Sequence, residues 1–153
     1  MEYKGRAQCL VVRDGKILQV KHSHGAEEYF CSPGGGIEKG ETPEQAALRE
    51  LREECLVDGR VIKKLSEWPD PFDGNTIFYT FQVDIGGQIP MLGKDPEFTE
   101  DPILAEVRWM ALDEICERDR AYLWASGLLC IEQFWDELSS WSDDISYPGR
   151  KQL

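Results

Sequence analysis

The stretch from Tyr29 to Val57 limits this chain more than any other: strand formers, then Pro33-Gly34-Gly35-Gly36, then a patterned helix. Tyr29-Phe30-Cys31 reads as a short strand, and the proline and glycines must break regular structure. Residues 43–56 read as the helix. Thr42 is a good N-cap, Pro43 suits the first helical position, and Gln45 completes a capping box. On a wheel of about 100° per residue, Leu48, Leu51 and Cys55 gather on one side. Glu50, Glu53 and Glu54 gather on another, roughly a third of a turn away. Such a helix packs its leucines into a core and still directs three carboxylates into one small volume.

That pattern has an electrostatic cost. Like charges at i+3 and i+4 destabilise a helix by about 0.2 to 0.5 kcal/mol per pair, and a cation among them reverses the sign. Mg²⁺ and Mn²⁺ prefer hard oxygen ligands and hold substrate phosphates through their remaining positions. Arg49, four residues before Glu53, is placed to pair with it. The alternative is a solvated acidic face, since Glu is a good helix former. The glycines ahead of the helix weigh against that, because they let backbone approach a bound group closely. The net charge of −12 argues against non-specific nucleic-acid binding and against an anionic membrane partner. It also repels a free nucleotide, so a phosphate substrate needs a cation in the site.

The rest of the chain is consistent with one domain, 1–153. Its 153 residues are 41% hydrophobic and 30% charged, an ordinary globular composition. No run approaches the roughly 18 apolar residues of a membrane helix. Met1 to Arg6 lacks the apolar run of a signal peptide, so a cytoplasmic location is the expectation. Five cysteines with no C-x-x-C spacing argue against a disulfide framework and a zinc site. Cys9, Cys55 and Cys130 read as reduced core thiols. Residues 6–12 and 16–21 read as strands around an Asp14-Gly15 hairpin turn. Residues 60–66, 76–84 and 104–110 read as further strands, with a short one near Gln88-Ile89. Leu112 to Glu117 reads as a short helix. Trp124, Leu128, Ile131, Trp135 and Leu138 form one stripe of a long helix over 119–139. The fold class is α+β, with helices packed on a mixed sheet.

The segment GGIEKGETPEQAALRELREECLV, Gly35 to Val57, resembles the Nudix box, G-x5-E-x7-R-E-U-x-E-E-x-G-U with U apolar. Gly35, Glu41, Arg49, Glu50, Leu51, Glu53, Glu54 and Val57 fit it. Leu56 stands where the family has a helix-ending glycine, a task Gly59 could take over. The resemblance extends over about residues 6–117, including Val107-Arg108-Trp109 and Leu112-Asp113-Glu114-Ile115. It implies an α/β/α sandwich and hydrolysis of a phosphoanhydride bond in a nucleoside diphosphate linked to another group. An ADP-ribose-like small molecule is favoured. Damaged nucleoside triphosphates or dinucleoside polyphosphates are the alternative substrates, and a non-catalytic nucleotide sensor is the alternative class.

By the same resemblance, Glu50, Glu53, Glu54 and the Gly34 carbonyl would hold Mg²⁺ or Mn²⁺. Arg49 would orient Glu53, and Glu41 would support the loop. The general base would be a box carboxylate or, in the loop before the late strand, Glu97 or Glu100, with Glu106 disfavoured inside a strand. An aromatic platform for a base would come from Tyr29, Phe30, Tyr79 or Phe81. Trp68 and Phe72, in a Pro-flanked loop, would shape the pocket edge. His22 and His24, in the loop after the second strand, read as plain surface histidines, with contact to phosphate or base as the alternative. The sequence leaves monomer and homodimer both open.

Overall fold

The computed structural model describes residues 2–70, 73–94 and 104–134, apart from the side chain of His24. Among the described residues, eight strands form two four-stranded sheets. In the first, the order is β5 (Gly34–Gly36), β1 (Gly5–Leu10), β7 (Ile77–Asp84), β6 (Arg60–Pro69). The β1–β7 pair is parallel and its neighbours are antiparallel, so this sheet is mixed. In the second, β3 (Lys16–His24) pairs antiparallel with β2 (Val12–Arg13), β4 (Glu27–Cys31) and β8 (Leu104–Met110). Helix α1 (Pro43–Cys55) and helix α2 (Glu117–Ala125) complete the α/β/α sandwich.

Side-chain alternation along the strands sorts the core into two layers. Ala7, Cys9, Leu18, Val20, Tyr79 and Phe81 pack with Ala46, Ala47, Leu51 and Cys55 of α1. Leu10, Ile17 and Met110 pack with Leu123, Leu128, Ile131 and Phe134. Leu51 is fully buried, which contributes about 1.5 to 3 kcal/mol from one side chain.

Several elements differ from the sequence expectation. The strand expected at 6–12 is two strands. β1 runs in the first sheet, and after it only Val12 and Arg13 pair across the hairpin with Ile17 and Lys16. The turn itself is as expected: Asp14 and Gly15 have φ of 52° and 74°, the double positive φ of a type I′ turn. β6 continues through Trp68 and Pro69, so Trp68 is a strand residue and not a loop residue. No strand forms near Gln88-Ile89. The Gln88 side chain instead bonds backbone of Asp58 and Ile85.

The long helix expected at 119–139 stops after nine residues, at Ala125. Gly127 has φ of 110°, and a Cβ there would lie 2.7 Å from Leu65 Cβ. Close approach to β6 therefore ends the helix, and short 3-10 turns at Leu128–Cys130 and Glu132–Phe134 carry the stripe onward. Trp135 and Leu138 lie outside the described residues. Leu112–Glu114 is likewise a single 3-10 turn. Cys130, expected in the core, is exposed, with its carbonyl accepting from Lys63 Nζ at 2.9 Å. Among the described residues, no helix is long and apolar enough to cross a membrane.

Candidate active site

Helix α1 begins as its sequence dictates. Thr42 Oγ1 accepts from the Gln45 N–H at 3.2 Å, and Gln45 Oε1 accepts from the Thr42 N–H at 2.9 Å. One turn further on, Arg49 collects the acidic residues of the box. Its Nε donates to Glu41 Oε2 at 2.7 Å, and Nη2 to Glu41 Oε1 at 3.0 Å and the Gly36 carbonyl at 2.8 Å. Its Nη1 donates to Glu50 Oε1 at 2.8 Å and Glu53 Oε2 at 3.2 Å. All five guanidinium protons are used. The expected Arg49–Glu53 pairing is thus one contact of a hub whose shortest bond goes to Glu41. These partners drive the Arg49 pKa upward, Glu41 first, then Glu50.

Glu41 holds the loop as well as the arginine, since its Oε1 also accepts from the Glu38 N–H at 2.9 Å. The hydrogen bonds from Arg49, and then that from Glu38, hold its carboxyl below the usual value of 4.5. A group with a depressed folded pKa stabilises above its unfolded pKa and loses that contribution as pH falls. Glu41→Gln is therefore expected to lower the melting temperature by roughly 3 to 6 °C at pH 7. The gap from wild type should shrink below about pH 4.5. Paired thermal melts from pH 7 to pH 3 check this, and a gap unchanged by pH would contradict it.

The third carboxylate of the helix is turned the other way. Glu54 is 2% exposed. Its Oε1 accepts from the Gly34 N–H at 2.8 Å, and its Oε2 lies 3.7 Å from His22 Nε2. The ring of His22 stacks on Tyr29 with centroids 5.3 Å apart. His22 was expected at the surface but stands beside a box carboxylate, a placement set by pairing with Tyr29 across β3 and β4. The side chain of His24 lies outside the described residues. Strand β5 reaches this point because its residues lack side chains: a Cβ on Gly35 would sit 2.3 Å from Glu50 Oε1, and one on Gly34 2.5 Å from the Ala7 carbonyl. Burial pushes the nearby thiols of Cys31 and Cys55 up to about 12 and that of Cys9 higher still.

Oxygen donors on one helix face, with bare backbone against Glu50, suit a hard divalent cation. Among the described residues, however, no three His, Cys, Asp or Glu side chains form a metal-holding group. The reason is visible in the contacts. Arg49 draws Glu50 and Glu53 to itself, while Gly34 and His22 face Glu54. A cation at this face has to take Glu50 and Glu53 in exchange for the guanidinium.

The end of α1 departs from expectation. Leu56 itself adopts the left-handed conformation, φ 55° and ψ 36°, and donates its N–H to the Arg52 carbonyl. Gly59 is not needed as the stop. Backbone N–H groups of Met91, Gly93 and Lys94 bond the carbonyls of Cys55, Glu54 and Glu53 at 2.9, 2.9 and 3.1 Å. The last turn is thereby satisfied from outside. Gly93 is required there, because a Cβ would lie 1.8 Å from the Glu53 carbonyl oxygen. This contact anchors the chain just ahead of Glu97 and Glu100, which lie outside the described residues. Glu106 is in β8, opposite Lys21.

Beside Gly34 and His22 opens a cleft of about 400 Å³. Its wall on the first sheet is legible from the register. Gly34, Gln8, Thr80 and Ser66 form one row across four strands, and Gly36, Arg6, Phe78 and Trp68 form the next. Trp68 packs on Phe78 with centroids 4.8 Å apart and meets Tyr122 edge-on at 6.1 Å. Of the expected platform residues, Tyr29 and Phe30 line the cleft. Tyr79 touches its lining, but its ring lies parallel to Phe81 and edge-on to Tyr3. Phe81 is in the core against α1 and does not line the cleft. Trp68, expected to shape the pocket edge, lines it from a strand, and Phe72 lies outside the described residues.

Residues 3–130 match the family model of the NUDIX domain. The chain belongs to the Nudix family. An ADP-ribose pyrophosphatase of Bacillus subtilis (strain 168) is 30% identical over 118 residues, 74% of this chain and 62% of that protein. An RNA pyrophosphohydrolase of Wolbachia pipientis subsp. Culex pipiens is 31% identical over 105 residues, 59% of this chain and 63% of that protein. Several curated relatives are matched over only about half their length, 53% and 50% in two cases. A NUDIX hydrolase from Nitrosomonas europaea shares the fold with a TM-score of 0.60 at 20% identity, over 78% of this chain and 63% of that one. A MutT NUDIX hydrolase from Burkholderia pseudomallei does so at 0.59 and 21%, over 80% and 97%. Nudix hydrolases generally use divalent metal ions, which agrees with the oxygen-rich donor set on α1.

Proposed function

We propose that this Nudix domain hydrolyses a phosphoanhydride bond in a nucleoside diphosphate linked to a second group. An ADP-ribose-like compound is the first substrate to test. The observation that carries this reading is the junction of two features: the carboxylate face of α1 meets bare glycine backbone at Gly34 and Gly35, and an aromatic cleft opens from the same point. The net charge of −12 weighs against a long polyanion such as RNA as substrate.

Glu50, Glu53 and Glu54 would hold a divalent ion, with the Gly34 carbonyl as a further ligand. That ion would supply positive charge against the diphosphate and make water a better nucleophile at neutral pH. Arg49 and Glu41 hold the glycine loop against the helix, and Glu50 and Glu53 would pass from the guanidinium to the ion when it binds. Arg6 and Arg118, at the cleft rim, offset part of the acidic surface. A carboxylate takes the proton from the attacking water. Glu97 or Glu100 is the proposed base, because both follow closely in sequence on Gly93 and Lys94, whose N–H groups bond the last turn of α1.

The test is a panel of nucleoside diphosphate derivatives, with products identified by mass. Chelated protein is expected to be inactive, and Mg²⁺ or Mn²⁺ to restore turnover. Full turnover in the chelated sample would contradict the proposal, as would no hydrolysis of any member with metal present.

A further inference from the structure

Four of the large apolar side chains exposed among the described residues gather where α1 ends. Leu56 is 55% exposed, Ile89 80%, Met91 63% and Leu92 43%. Backbone bonds bring them together. The Met91 N–H donates to the Cys55 carbonyl, and the Gln88 side chain, next to Ile89, bonds the backbone of Asp58. Leu56 holds φ 55°, a left-handed conformation that disfavours residues with a Cβ. Glycine would relieve that cost, and a leucine left in water there gains nothing from its side chain. An exposed apolar patch of this kind marks a contact surface. Its rim is basic on balance, in a chain of net charge −12. Arg13, Arg52, Arg60 and Lys94 stand around it, and Asp58 and Asp84 pair with Arg52 and Arg60.

The occupant that fits this surface is in the chain itself. Residues 135–153 follow on Phe134, the last of the described residues. On a wheel of about 100° per residue, Trp135, Leu138, Trp141 and Ile145 fall within roughly 120°. Asp136, Glu137, Asp143 and Asp144 all lie outside that arc, toward its two flanks. An apolar stripe with acidic flanks complements an apolar patch with a basic rim. Strand β2 links the start of the segment to the patch. Phe134 packs in the cluster that takes in Leu10 and Val12. The next residue, Arg13, donates to the carbonyls of Gly86 and Gln88 at 2.5 and 3.0 Å. Residues 135–153 reach about 30 Å as a helix and about twice that extended, more than this chain of contacts requires. A tethered segment needs no second molecule, whereas two copies of a chain of net charge −12 repel. We propose that residues 135–153 dock by their apolar stripe on Leu56, Ile89, Met91 and Leu92. Docked there, they buttress the loop whose N–H groups hold the last turn of α1. The contact does not depend on which substrate the site takes.

Met91 is one of three methionines, with Met1 and the buried Met110, so ¹³C-methyl labelling gives it its own NMR signal in the full chain. A soluble nitroxide is expected to broaden the Met91 methyl at least about threefold less in the wild type than in the double variant Leu138→Ser, Trp141→Ser. That protection should not change with protein concentration. Equal broadening in the two proteins overturns the proposal, as does protection that survives in the double variant. Protection that rises with concentration overturns it in favour of a second copy of the chain. Leu56→Gly gives an independent reading, because glycine suits the left-handed position. With the segment docked, this change is expected to lower the melting temperature by about 2 to 4 °C. In the Leu138→Ser, Trp141→Ser background it should raise it, since only the backbone cost is then removed. A rise in the wild type, or the same shift in both backgrounds, overturns the proposal. If the double variant does not melt as a folded protein, the sign of the Leu56→Gly shift in the wild type decides.

Discussion

Arg49→Met is expected to lower the melting temperature of metal-free protein by roughly 5 to 10 °C, from a loss of about 2 to 3 kcal/mol. The guanidinium is bonded to Glu41, Glu50 and Glu53 together. Without it, three carboxylates face one another beside the bare backbone of β5, and the Gly36 carbonyl loses its donor. The side chain is 22% exposed, so water screens part of the repulsion and the loss falls below that for a fully buried pair. Mg²⁺ should restore part of the lost stability, since it offers the same carboxylates another cation. Glu53→Gln is the control. It removes one negative charge while Arg49 keeps Glu41 and Glu50, so metal-free stability should stay within about 2 °C of wild type. A melting temperature of Arg49→Met equal to wild type would mean the hub is not structural.

Glu54→Gln is expected to reduce turnover by about 10² to 10⁴ and to weaken Mn²⁺ binding with it. Glu54 is the buried carboxylate of the cluster, tied to the Gly34 N–H, and an amide there keeps the shape while losing the charge. A base that never touches metal behaves differently. Its loss lowers the maximal rate by a similar factor and leaves metal affinity nearly unchanged. That second pattern is expected for one of Glu97→Gln and Glu100→Gln, and not for both. If both run at wild-type rate, the base is not in that segment, and Glu41 or a box glutamate takes its place.

The carboxylate helix was legible because every signal for it is local. The N-cap, the capping box and the i, i+3, i+4 glutamates are set within one element, and they formed as expected. What surrounds the helix was not local. The platform candidates Tyr79 and Phe81 are one residue out of phase with the cleft face, on which Phe78 stands. A strand alternates its faces, and sequence alone did not say which face α1 covers. His22 and Gln19 reach the site through pairing of β3 with β4 and β8, a long-range register. The stripe from Trp124 onward has helical spacing, yet Gly127 must pass close to Leu65, a tertiary demand that overrode the period. Ser126-Gly127 was the available signal for that break. The helix end at Leu56 is the opposite case. A leucine holds the left-handed position, at an ordinary cost of about 1 to 2 kcal/mol, while the loop at Met91, Gly93 and Lys94 satisfies the last carbonyls.

The carboxylate face of α1 is proposed to bind the divalent ion that supports phosphoanhydride hydrolysis. Mn²⁺ titration of metal-free protein, read by electron paramagnetic resonance, tests it most directly when turnover of the best substrate is followed in the same samples. Wild type should bind Mn²⁺ and gain activity in parallel with occupancy, and Glu54→Gln should lose both by at least about tenfold. Equal Mn²⁺ affinity in wild type and Glu54→Gln, or activity that does not follow occupancy, would contradict it.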